Sequence, residues 1–384
     1  MRPSLQDWRD QRVIHGAGGL DPIFSRVGEA FAENFDAGAE LGASFAVVID
    51  DVVVVDLRGG VASKAGDQPW AEDTIACIYS SGKAVLAMLV ALEASAGRIN
   101  YDAPVAEYWP AFGVEGKEEI TIAQVMSHQA GLPGFEDTTP PQTHVDWGAA
   151  TAAVAAMAPL WPPGSVNGYH PQTVGYIIGE VLRRISGVSV GGRLRALKAQ
   201  EDLSVFCGLR DEEIARAAFM QKPPRPPDLG EINEATRRAF LARSAAAARV
   251  DRETWMRAEI PASNMHADAV SLARLLRPMA QGGVAAQTQL IASNILETAF
   301  AERICGDDLV LPFRLSWAAG LMRNINRHFG PNESALGHAG FGGSAVVIDP
   351  ENRMTIAYVM NKMSPYLVGD PRSLRLIDAV YDAL

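Results

Sequence analysis

A chain of 384 residues can bury a large core, and 48% hydrophobic against 21% charged residues argues against intrinsic disorder. The formal net charge of −11 repels phosphate backbones and speaks against a nucleic-acid partner. Cys77, Cys207 and Cys305 are odd in number, widely spaced and without a C-x-x-C pair; they signal neither a disulfide framework nor a zinc site, and read as buried free thiols.

The first residues, MRPSLQDWRDQR, have charges with no apolar run behind them, and no stretch of the chain reaches the length of a membrane span. A cytoplasmic protein is expected. Residues 20–37 carry Ile23, Phe24, Val27, Phe31 and Phe35 at helical spacing. Residues 43–57, ASFAVVIDDVVVVDL, read as two β runs around an Asp50-Asp51 turn. From about 80 to 300 most segments have helical periodicity, broken by TTPPQT at 138–143 and by the proline cluster KPPRPPD at 222–228. Strand-like sequence returns at 315–323, 343–349 and 353–361, the last two joined by an Asp-Pro-Glu-Asn turn, and a helix closes the chain.

Both termini therefore supply strands and the middle supplies helices. An α+β fold follows, with one antiparallel sheet from both termini flanked by helices and an inserted, mostly helical lobe. Residues 1–384 are expected to form one domain, with a sheet lobe of about 1–79 plus 300–384 and a helical lobe of about 80–299.

Two serines compete for a catalytic role. GVSVG at 187–191 fits the G-x-S-x-G pattern, but a nucleophile elbow needs a strand running into a sharp turn. Ser189 instead follows a helical stretch with Ile177, Val181, Leu182 and Ile185 in register. Gly187 reads as a helix stop, and Ser189 as the cap of a helix over 194–198. Ser80 and Lys83 form the one S-x-x-K of the chain, ahead of Val85, Leu86, Leu89 and Leu92 on a helical stripe. That spacing places both groups on one face of a first helical turn. A serine hydroxyl needs an adjacent base to attack, and a lysine kept neutral by burial supplies one.

WPPGSVNGYHP at 161–171 and LGHAGFGGSAVVIDPE at 336–351 complete a pattern with SHQAGLP at 127–133 and ASN at 262–264. In this order the segments resemble those of the serine β-lactamase-like (penicillin-binding-protein-like) hydrolases, and most closely the family VIII carboxylesterases, from about residue 20 to the C-terminus. The resemblance implies a β-lactamase/transpeptidase-like catalytic domain without cofactor or metal. It implies Ser80 as the acylated nucleophile, Lys83 as its base and Tyr169 as a further general base and acid. It also implies an oxyanion hole from the backbone N–H groups of Ser80 and Phe341, and His338 and Gly340 as substrate-binding residues; the other reading of His338 is a structural histidine that bonds the loop around Tyr169.

One departure bears on substrate. Where penicillin-recognising relatives have Lys-Thr-Gly on an edge strand, this chain has His338-Ala339-Gly340. A permanent cation is replaced by imidazole, which favours uncharged esters over β-lactams. The expected protein is a serine hydrolase forming an acyl-enzyme, a carboxylesterase for small or short-chain esters, with no nucleic-acid partner. β-Lactamase, amidase or peptidase and acyltransferase activities are the alternatives within the fold, and a catalytically silent binding module is the alternative outside it. The remaining motifs have ordinary readings. Ser165-Val-Asn167 reads as turn residues after Pro-Gly, GAGG at 16–19 and GFGG at 340–343 as turns, and Trp161 and Trp317 as core or wall aromatics. His128 and His170 lack metal-ligand spacing.

Overall fold

The computed structural model describes residues 14–242 and 250–384. The leader reading of residues 1–12 and part of the segment after the proline cluster lie outside them. Nine strands form one sheet: β1 (Ile14–Leu20), β2 (Gly42–Ile49), β3 (Val52–Gly60), β4 (Ile304–Asp307), β5 (Arg314–Trp317), β6 (Met322–Arg323), β7 (Leu336–Ala339), β8 (Ala345–Asp349) and β9 (Met354–Met360). Their spatial order is β1-β3-β2-β9-β8-β7-β6-β5-β4, antiparallel throughout. The seam between β2 and β9, from Met354 opposite Ile49 to Met360 opposite Ala43, joins the two termini. Asp50 and Asp51 turn the β2–β3 hairpin with φ of 49° and 65°, the left-handed pair that matches the twist of a two-residue hairpin.

The helices used below are α1 (Ser25–Asp36), α2 (Gly82–Ser95), α3 (Thr173–Ser186), α4 (Val190–Glu201), α5 (Ala269–Ala280) and α6 (Pro371–Tyr381). Alternate strand residues serve opposite sides of the sheet. Phe45, Val47, Ile356 and Tyr358 pack with Phe24, just ahead of α1, with Phe31 of α1 and with Leu376 and Ile377 of α6. Ala46, Val48, Ala357 and Val359 pack with α2 and with Leu272 and Leu276 of α5. Because both faces are covered, the central strands are mostly apolar on both sides rather than alternating.

The residue pattern and the fold differ in several places, and Cys305, read as a buried thiol, is exposed. Residues 315–323 form two strands, because Ala318–Leu321 leave the ladder and Gly320, at φ 86°, bonds its N–H to Met126 O across 3.1 Å. GAGG at 16–19 lies in β1 rather than in a turn. A small sheet joins Ala76–Cys77 to His266–Ala267 and Val205–Phe206 of the helical region; each piece is two residues long, too short for a periodicity. α2 is buried nearly all round, Lys83 and Glu93 included, so it is a central helix rather than one with a stripe.

Candidate active site

Ser80 lies in a 3₁₀ turn, Tyr79–Ser81, that runs into α2 at Gly82. Tyr79 holds a φ of 44°, which costs energy for a bulky side chain and marks a backbone constrained by its surroundings. The constraint is visible. Ser344 Oγ donates to Ile78 O (2.7 Å) and lies 3.1 Å from Ser81 Oγ, while Ser81 Oγ donates to His338 O (3.3 Å). These bonds fasten the serine turn to the turn between β7 and β8. A Cβ on Gly340 would come within 2.2 Å of Ser344 Oγ and 2.3 Å of Ile78 O, so the contact requires glycine. Among the described residues neither the Ser80 nor the Phe341 amide N–H is taken by a backbone carbonyl.

Lys83, one turn further on, is 2% exposed. Its Nζ lies 3.0 Å from Ser80 Oγ, 2.8 Å from Pro171 O and 3.0 Å from Ala262 O. It also stands 4.8 Å from the centre of the Tyr169 ring. Among the described residues no carboxylate joins this set, and burial holds the ammonium well below its ordinary range.

Tyr169 donates its hydroxyl to Ser80 Oγ at 2.6 Å. Burial pushes its phenol up, so the proton stays on the oxygen. The ring stacks on Trp317 at 5.8 Å and 11° and meets His128 edge-on at 4.7 Å. The loop behind it is anchored by Asp308, which accepts from the Tyr169 N–H (2.9 Å), from Asn167 Nδ2 (2.8 Å) and from the N–H groups of Val310 and Leu311 (both 2.9 Å). Asp308 had no signal in the sequence, standing 139 positions from its partner. Asn167, read as a turn residue, is the side chain that helps fix this loop.

Ser80, Tyr169, Ala339 and Phe341 open onto a cavity of about 640 Å³. Its walls are largely aromatic and aliphatic, with Tyr79, Trp255, Phe240, Leu311 and Met363 among them, and the proline cluster at 222–227 runs along it. The Phe341 ring meets Tyr79 edge-on at 5.9 Å. His338 and Gly340, expected to bind substrate, are not among the residues that line the cavity. His338 is fully buried and off the cavity wall, its ring 5.8 Å from Trp317 and 6.1 Å from Tyr169, because alternation along β7 turns it away from the side that Ala339 faces. Gly340 serves as the spacer described above. Ser189 caps α4 through the Gly192 N–H (3.1 Å), donates to Glu259 (2.7 Å), and has no part in the cavity wall; its helix starts at Val190, earlier than the periodicity indicates. Among the described residues no cluster of three His, Cys, Asp or Glu side chains is placed to hold a metal ion, and no helix is long and apolar enough to cross a membrane.

Comparison with known proteins covers almost the whole chain. The sequence profile described as Beta-lactamase matches residues 29–379. The esterase/beta-lactamase LipL of Mycobacterium tuberculosis (strain ATCC 25618 / H37Rv) is 31% identical over 376 residues, 92% of this chain and 85% of LipL. A penicillin-binding protein homologue from Caulobacter crescentus superposes with a TM-score of 0.93 at 44% identity, over 97% of this chain and 100% of the homologue. A family VIII carboxylesterase superposes at 0.88 with 35% identity, over 97% and 100%. A class C β-lactamase, at 16% identity and 0.67 over 94% and 98%, shares the fold.

Proposed function

The chain belongs to the Beta-lactamase family, and we propose on that premise that it is a carboxylesterase that hydrolyses small esters through an acyl-enzyme on Ser80. The observation that carries this reading is the convergence on one oxygen: Lys83 Nζ at 3.0 Å and the Tyr169 hydroxyl at 2.6 Å from Ser80 Oγ, at the wall of a largely apolar cavity.

Burial assigns the resting protons. A neutral amine has two N–H bonds and one lone pair. With Pro171 O and Ala262 O taking the two hydrogens, the lone pair faces Ser80 and can accept its proton as Oγ attacks the ester carbonyl. The negative charge that develops on the carbonyl oxygen is met by the N–H groups of Ser80 and Phe341. The C–O bond to the alcohol then breaks, and the alcohol takes a proton from Tyr169, which is resupplied from Lys83. Water repeats the sequence, giving its proton to the same pair, and the acid leaves with Ser80 restored. The catalytic domain acts as two lobes, 1–79 with 300–384 and 80–299, with the cavity at their junction.

A second reading, β-lactam hydrolysis, is favoured by the description of LipL as an esterase/beta-lactamase. The cavity supplies no cation at position 338 to hold the carboxylate of a β-lactam, because His338 is buried and burial pushes its imidazole down to about 3. Stopped-flow release of p-nitrophenol from p-nitrophenyl butyrate, set beside nitrocefin hydrolysis, separates the two. The ester reading requires p-nitrophenol release that Ser80→Ala abolishes, preceded by a burst equal to the enzyme concentration where deacylation is the slower step; nitrocefin turnover without ester turnover would reverse the assignment.

A further inference from the structure

His144 is 5% exposed, and neither of its ring nitrogens has a hydrogen-bond partner among the described residues. It nevertheless lies on the wall of the cavity that holds Ser80. Leaving a buried polar group unpaired costs about 1–3 kcal/mol, so a site that keeps one on a largely apolar wall calls for a partner from outside the protein. The ring is also held in place. It meets Phe135 edge-on at 5.0 Å, and the Tyr176 hydroxyl donates to the His144 carbonyl at 2.7 Å, fixing the backbone that carries it. Two other polar groups of the wall are engaged within the protein, the Tyr79 hydroxyl with Met363 Sδ and Ser263 Oγ with Pro171 O.

We propose that His144 is a substrate-recognition residue that hydrogen-bonds a hydroxyl or carbonyl group carried by the ester away from its reacting carbonyl, so that the favoured substrates are small esters with such a polar substituent. Burial pushes the imidazole down to about 4, leaving it neutral at pH 7 with one N–H to donate and one nitrogen to accept. That chemistry pairs with a hydroxyl in either sense and with a carbonyl through the N–H, and it offers no charge to an anionic group. A site built around such a bond discriminates against the analogue lacking the group more strongly than a smooth apolar pocket discriminates by size.

The inference rests on the esterase reading, and the experiment separates the two. Specificity constants are measured for two matched pairs: p-nitrophenyl 3-hydroxybutyrate against p-nitrophenyl butyrate, which places the hydroxyl on the acyl side, and 4-hydroxybutyl butyrate against butyl butyrate, which places it on the alcohol side. In the unmodified protein at least one hydroxylated ester is expected to lead its partner by about tenfold or more. His144→Phe, which keeps a ring against Phe135, brings that ratio close to one, and His144→Gln, which keeps a donor and an acceptor, restores part of it. Fluorophosphonate labelling of Ser80 in each variant reports that the site is intact. Intact labelling with ratios near one in the unmodified protein, or with ratios unmoved by His144→Phe, overturns the role of His144 alone. Failure of Ser80 to label in the unmodified protein overturns the esterase reading and this inference with it.

Discussion

Tyr169 and Ser80, 89 positions apart in the chain, share a 2.6 Å hydrogen bond in which the phenol donates to the serine oxygen. Lys83 approaches the same oxygen from the other side and stands 4.8 Å from the centre of the phenol ring. The groups proposed as base, acid and nucleophile are therefore held together before any substrate arrives, and their protonation follows mainly from burial.

That protonation pattern fixes the pH dependence. With the Lys83 ammonium held well below its ordinary range and the Tyr169 phenol above its own, activity should reach its plateau well below the range where a free lysine titrates. It should fall in acid as Lys83 takes up a proton, and show no step through about 10, where free lysine and tyrosine titrate. A pH profile of kcat/KM for p-nitrophenyl butyrate checks this; a rise in activity through pH 10 would mean that Lys83 behaves as an ordinary solvated amine.

Asp308 should matter without touching substrate. Asp308→Ala removes the acceptor of the Tyr169, Val310 and Leu311 N–H groups and of Asn167, freeing the loop that aims the phenol. A misplaced acid costs on the order of 10² in rate, so kcat should fall by about that factor with KM changed little. Asp308→Asn, which keeps one carbonyl oxygen, should recover part of the loss. Equal kcat in all three proteins would show that the loop needs no anchor.

Arg372 is the structural counterpart on the opposite side of the cleft. Its guanidinium pairs with Glu40 and Asp370 and donates to Gly342 O at 2.7 Å, bracing the turn that carries Phe341. Arg372→Met would leave two buried carboxyl groups without their cation, a loss of about 3–5 kcal/mol by the usual penalty for breaking a buried pair. Urea unfolding at pH 7 measures it; a midpoint unchanged from the parent would contradict the bracing role.

Much of this arrangement is legible in the residues alone, for reasons that the structure makes clear. Ser80 and Lys83 sit three apart, so helix geometry alone brings them together. The β2–β3 hairpin and the β8–β9 pair are visible because a turn sequence separates two apolar runs. The sheet from both termini follows from strands at the ends and helices between, and the match to known relatives confirms that fold. What escapes notice depends on distant partners or on two-residue pieces. Asp308 meets Tyr169 only through tertiary packing, the small sheet at 76–77, 205–206 and 266–267 has no periodicity to detect, and His338 is turned inward by strand alternation that its motif position does not reveal.

Ser189 separates motif from mechanism. Ser189→Ala removes a helix cap and its bond to Glu259, which should cost about 1 kcal/mol of stability and leave ester turnover within twofold, roughly the scatter expected for a surface change away from the cavity. Thermal unfolding and a p-nitrophenyl butyrate assay read the two quantities side by side.

The most direct test is to treat the protein with a fluorophosphonate and locate the adduct by peptide mass spectrometry. The phosphonyl group should appear on Ser80 in a one-to-one ratio, and Ser80→Ala should abolish it while Ser189→Ala retains it. An adduct on Ser189, or none on Ser80 in the folded protein, would contradict the assignment of Ser80 as the nucleophile.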